Sequence, residues 1–143
     1  MRSGCSFRAL MAVAILAIVA QPGALAGDKP AESEHRRGQH GLEGWTLNSP
    51  VPDSGYGDEQ FAFTLVVARD GRVLRRIAGE PFVWRWMFWA DGWQVAYEAG
   101  PFHFSMTCVL TDVRTGRKIS SFDCYHELPA NAPNWVKALE AAE

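Results

Sequence analysis

The chain has 143 residues, 14 basic against 16 acidic side chains, a formal charge of −2 and 48% apolar residues. That length suits one domain with a modest core, and no second domain is expected. The near balance of charge, with no run of clustered Lys and Arg, argues against nucleic acid or an anionic membrane surface as a partner, because both demand concentrated positive charge to meet phosphates.

Met1 to Arg8 carries Arg2 and Arg8 and no acid, and Ala9 to Ala20 follows as an unbroken apolar stretch. Gln21-Pro22-Gly23 breaks any helix there, and Ala24-Leu25-Ala26 sets small residues ahead of Gly27. The pattern predicts a secretory signal peptide over residues 1–26, cleaved after Ala26. An apolar run of 12 residues falls short of the roughly 20 that span a bilayer, so a leader is expected and a stable membrane anchor is not. Cys5 precedes the apolar stretch and is not placed to accept a lipid. Cleavage would leave 117 residues with 12 basic and 16 acidic groups, since only Arg2 and Arg8 are lost among the charges. The expected location is periplasmic or extracellular. In that setting the two remaining cysteines, Cys108 and Cys124, are expected to form a disulfide.

Residues 27–60 read as a polar, largely flexible segment broken by Pro50, Pro52, Gly55 and Gly57, with 27–41 a mobile tail. Trp45 and Leu47, spaced two apart, are expected to dock on the domain as a short strand. The folded unit, 61–143, begins at Phe61, where Phe61, Phe63, Leu65 and Val67 alternate with smaller neighbours. Asp70-Gly71 signals a tight turn, with Val73 to Ile77 as the returning strand. The pattern recurs with Phe82 to Trp89, a turn at Asp91-Gly92 and Trp93 to Glu98, and again with Phe102 to Thr111, a turn at Thr115-Gly116 and Arg117 to Tyr125. Three hairpins predict a mainly β fold: an antiparallel meander of about six strands in a small sheet or sandwich. Phe82 to Trp89 is apolar on both faces apart from Arg85, which predicts a central strand covered on both sides. Residues 133–142 predict a short C-terminal helix with Pro133 in its first turn, Trp135, Ala138, Leu139 and Ala142 on one face, and Asn131 or a neighbour as its cap.

Trp86-Met87-Phe88-Trp89-Ala90-Asp91-Gly92-Trp93-Gln94-Val95-Ala96-Tyr97 and Leu110-Thr111-Asp112-Val113-Arg114-Thr115-Gly116-Arg117 resemble the strand, Asp-Gly turn and blade end of TolB-type β-propeller repeats. The resemblance spans residues 82–122 and implies blade-like hairpins in a small exported bacterial protein. A propeller closes with about four to eight blades, whereas this chain holds material for one and a half. The hairpins are therefore expected either to fold back on one another or to associate between chains, and the propeller's channel and partners do not carry over.

Candidate functional residues are sparse. His35 and His40 would need further ligands on a rigid frame to hold a metal, so no cofactor or metal is expected. His103 is expected as a hydrogen-bonding or ligand-contacting residue; with Glu98 and His126 it has the groups for acid–base work, yet no nucleophile elbow or paired-carboxylate motif accompanies it. Six tryptophans suit a core or a stacking surface. Trp84 and Trp86, in line with Phe82 and Phe88, would mark a ligand or partner surface if that face were open. A simple hairpin pairs position 108 near 121 and leaves Cys124 about three residues out of register, so a bulge near Ser120-Ser121 is needed to bring the cysteines within reach. Three functions follow from these features. The first is a non-catalytic exported binding or accessory module of the cell envelope, with an envelope protein as partner or a homodimer through an edge strand. The second is an inhibitor of a cell-wall-degrading enzyme such as lysozyme, entering its cleft with the Ser54–Gly57 loop. The residual reading is a hydrolase.

Overall fold

The computed structural model describes residues 29–102 and 105–142; the expected signal peptide lies outside them. Among the described residues, alternating side chains and left-handed turn residues produce nine strands in two antiparallel sheets and one helix, a mainly β fold. The first sheet holds β1 (Ala31–Glu32), β2 (Arg36–Arg37), β3 (Leu42–Pro50), β4 (Gln60–Arg69) and β5 (Arg72–Ala78). Its order is β1-β3-β4-β5, with β2 also paired to β3. The second is a meander of β6 (Phe82–Trp89), β7 (Gln94–Gly100), β8 (Thr107–Asp112) and β9 (Lys118–Asp123), followed by α1 (Asn134–Glu140). Asp70 and Gly71 both take positive φ, 50° and 77°. This is the twist a two-residue hairpin needs, and it explains why Asp-Gly marked the turn.

The folded unit starts ahead of Phe61. β3 pairs with β4 from Leu42↔Arg69 to Pro50↔Gln60, and Leu42 and Trp45 are buried. It contains Trp45 and Leu47, expected as a short strand, and extends beyond them on both sides; its inward position 44 is a glycine. A Cβ there would sit 2.7 Å from Cη2 of Trp86, so the missing side chain is the space the indole fills. Arg36, paired with Gly44, lays its guanidinium 5.3 Å from the same ring and donates to the Trp86 carbonyl. His35, expected in a tail, stacks on Trp45 at 4.1 Å between the carboxylates of Glu32 and Glu43.

Leu42, Leu65 and Val67 from the first sheet meet Val83, Trp86, Val95, Tyr97 and Val109 from the second in one apolar core. The opposite face of the second sheet is covered by α1, where Trp135, Val136 and Leu139 pack on Ala96, Cys108 and Leu110. Seven residues are too few for a free-standing helix, and no side chain caps its start at Pro133. Docking therefore holds it, aided by Arg85 Nη1 donating to the Glu140 carbonyl at 2.9 Å. These two layers also correct the expected place of Phe82–Trp89. β6 is the edge of its sheet, and it is apolar on both faces because one meets the first sheet and the other meets the helix side.

Cys108 pairs with Phe122, and the register slips between Leu110 and Thr111, where Ile119 bulges out between the partners Ser120 and Lys118. Cys124 follows the end of β9, its Cα 5.7 Å from that of Cys108, and the two form a disulfide. The bulge that register required lies one residue from where it was expected.

Candidate functional site: an aromatic groove at one end of the sandwich

β4 and β6 begin, and β7 ends, at the same end of the sandwich. Each contributes a ring or a carboxylate there because each strand's terminal residues stand beside a loop. Phe61 is the second residue of β4, Phe82 opens β6, and Phe102 follows the Gly100-Pro101 break after β7. Ring centroids lie 4.6 Å apart for Phe82–Phe102, 4.8 Å for Phe61–Phe102 and 5.5 Å for Phe61–Phe82, mostly in edge or tilted contact. Such pairs prefer tilted and edge geometries because the ring face is negative and the rim positive. Tyr56, from the loop between β3 and β4, turns back to stack on Phe102 at 4.8 Å and to meet Phe61 edge-on at 5.6 Å.

Trp84 reaches this cluster through a bulge. Val83 pairs with Ala99 and Arg85 with Glu98, leaving Trp84 as the extra residue on the edge strand. The bulge turns its indole toward the end of the sheet, where Nε1 donates to the Gly100 carbonyl at 2.9 Å and the ring contacts Phe82 and Phe102. Re-aiming a side chain in this way is a common use of a bulge on an edge. Trp84 stays 37% exposed, with Tyr56 at 42% and Tyr125 at 46%. Together with Glu59, Phe61, Glu98, Phe102 and Met106 they line an open groove of about 450 Å³.

The groove's two carboxylates differ in setting. Glu59 is exposed. Glu98 is buried and ion-pairs with Arg85 Nε at 2.6 Å. Burial raises its pKa above the ordinary carboxylate value, outweighing the pull of Arg85, and Glu140 nearby adds to the rise. Behind Glu98, a cavity of about 40 Å³ beneath α1 is lined by Arg85, Cys108, Cys124 and Leu139. Cys124 borders both spaces, so the disulfide forms part of the wall between groove and helix.

No family model, curated protein or solved structure matches this chain. The groove is read from its own chemistry. Of the residues singled out in the sequence, Trp84 lies at the groove and Trp86 does not: the bulge throws them to different sides, and Trp86 is buried in the core between the sheets. His103 lies outside the described residues. Glu98 takes Arg85 as its charged partner, and His126 contacts the ring of Tyr125. Glu59, Phe102 and Tyr125 were not recognised from the sequence, and Tyr56 entered it only as part of the Ser54–Gly57 loop. Their common signal is an aromatic or acid within two residues of a glycine, a proline or the last cysteine, in segments that end a strand.

Proposed function

We propose that this chain is a non-catalytic binding module of the bacterial envelope that grips a neutral or amino-sugar glycan in the aromatic groove. The observation that carries the reading is the set of half-exposed rings, Tyr56, Trp84 and Tyr125, standing beside the carboxylate of Glu59 around one open groove. Aromatic faces stack on the C–H faces of pyranose rings, and a carboxylate accepts sugar hydroxyl or amine protons; an acidic sugar would be repelled by Glu59. The contacts that fix Trp84 and Tyr56 orient the rings before a ligand arrives, which lowers the ordering cost of binding. Export is supported by the leader pattern of residues 1–26 and by the Cys108–Cys124 bridge, a feature of oxidising compartments. The likeness to TolB-type repeats is supported by the second sheet, a four-stranded antiparallel meander over Phe82–Asp123, the form of a single blade.

Titration of the purified chain with soluble N-acetylglucosamine oligomers, followed by tryptophan fluorescence, tests this directly. A saturable change is expected, weakened roughly two- to twelvefold in Trp84→Ala and in Tyr56→Ala, which each remove one stacking ring of about 0.5 to 1.5 kcal/mol. No saturation, or the same curve in both variants, would sink the proposal.

A further inference from the structure

At the far end of the sandwich the tips of two hairpins lie side by side. Arg75 on β5 donates through Nη2 to the Arg114 carbonyl in the β8–β9 turn, and its Nε is 3.1 Å from where a Cβ on Gly116 would be. This contact joins Arg69, Arg72 and Arg76 of one hairpin to Arg114, Arg117 and Lys118 of the other, all exposed. Three carboxylates share the end. Two of them spend an oxygen on a turn: Asp91 accepts from the Trp93 amide at 3.0 Å and Asp112 from the Thr115 amide at 2.9 Å. Arg69 and Arg114 each stand 5.4 Å from the Trp93 ring centroid, and each meets its neighbouring carboxylate only at 3.5 Å. The indole thus holds two guanidiniums in place while both side chains remain exposed. Five of the six cations are arginines, whose planar forks match phosphate oxygens two at a time.

We propose that this end docks on an anionic phospholipid surface through the two hairpin tips. A soluble polyanion would be served by the charges alone, but the patch also exposes Val73 beside Arg72 and Ile119 beside Lys118. An aliphatic side chain next to a cation is what a headgroup layer accepts. The Trp93 ring is already occupied by His40, stacked at 5.5 Å, and by the two arginines, so it offers no open face to a nucleobase. The overall charge conceals this patch because Asp58, Glu59, Glu98 and Asp123 lie toward the aromatic end, while Asp70, Asp91 and Asp112 are the carboxylates at this one.

Flotation of the purified chain with vesicles of phosphatidylglycerol and phosphatidylcholine, against phosphatidylcholine alone, reads the proposal. Binding to the anionic vesicles only is expected, falling as salt is raised. Arg72→Gln with Arg76→Gln should lower partitioning roughly 30-fold, as two surface cations are lost. Arg117→Gln with Lys118→Gln, on the other hairpin, should do the same, with near-ultraviolet circular dichroism confirming an unchanged fold in at least one pair. Equal binding to both vesicles, or partitioning unmoved by a folded pair, overturns the proposal; capture by heparin or DNA with none by vesicles replaces it with a soluble polyanion.

Discussion

β4 begins at Gln60 beside the rings of Phe61 and Phe102 and finishes at Arg69 over the indole of Trp93. The two ends of the sandwich therefore share a strand and differ in what they present: rings and carboxylates at one, arginines at the other. They also differ in how they are held. The aromatic end is fixed by ring contacts, a disulfide and a helix docked behind Glu98, whereas the arginine end is fixed by turn hydrogen bonds and by one indole under two guanidiniums. In a scaffold whose middle is a shared core, each end is free to carry its own chemistry, because loops and strand termini vary without disturbing the pairing between them.

The sharpest way to break the comparison is to hollow out one end. Phe82 is buried and touches Phe61, Phe63, Trp84 and Phe102, so Phe82→Ala should cost about 3 to 5 kcal/mol in urea unfolding. The groove should disappear with it, while vesicle binding through the arginine tips survives in whatever fraction remains folded. Replacing Cys108 and Cys124 together by alanine comes next, with an expected loss of about 2 to 5 kcal/mol. Amide exchange should then rise from Asp123 to Leu128 and in α1 more than in the turn at Val113–Arg117, which Asp112 and Arg75 hold independently.

The smallest effect is a difference in sign between the ends. Asp112 has a lowered pKa, chiefly because it accepts the Thr115 amide, so its contribution to stability is present above the unfolded carboxylate value and is lost as pH falls through its depressed folded value. Glu98 has a raised pKa from burial, so its contribution is full below the unfolded value and is lost as pH rises through the raised folded one. Melting temperatures measured across the acid range should show Asp112→Asn flattening the rise with pH and Glu98→Gln removing a fall. Parallel shifts in the two variants would show that the ends do not differ in this respect.

The hairpins from Phe61 onward were readable because Asp70, Gly71 and Gly116 carry the positive φ that tight turns require and the strands between them alternate. β3 was readable only in part: Trp45 and Leu47 marked a short strand, but its full length was hidden, since its inward residues Gly44 and Thr46 look polar or empty until Trp86 is placed over the glycine. The position of β6 was missed for another reason: burial on both faces was equated with the centre of a sheet, and here a second sheet and a helix cover the faces of an edge. Neither end could be assembled from the sequence alone. The groove draws on residues from Tyr56 to Tyr125 and the cation patch on residues from Arg69 to Lys118, and only the antiparallel return of every strand brings each set together.

Because β4 runs from one end to the other, its ten residues set a separation of roughly 30 Å at about 3.3 Å per residue. A molecule seated on its arginine tips would hold its ring-lined mouth at that height above the lipid. On the proposed reading such a molecule would act as a spacer as well as a grip, reaching the sugar strands that pass at one fixed level.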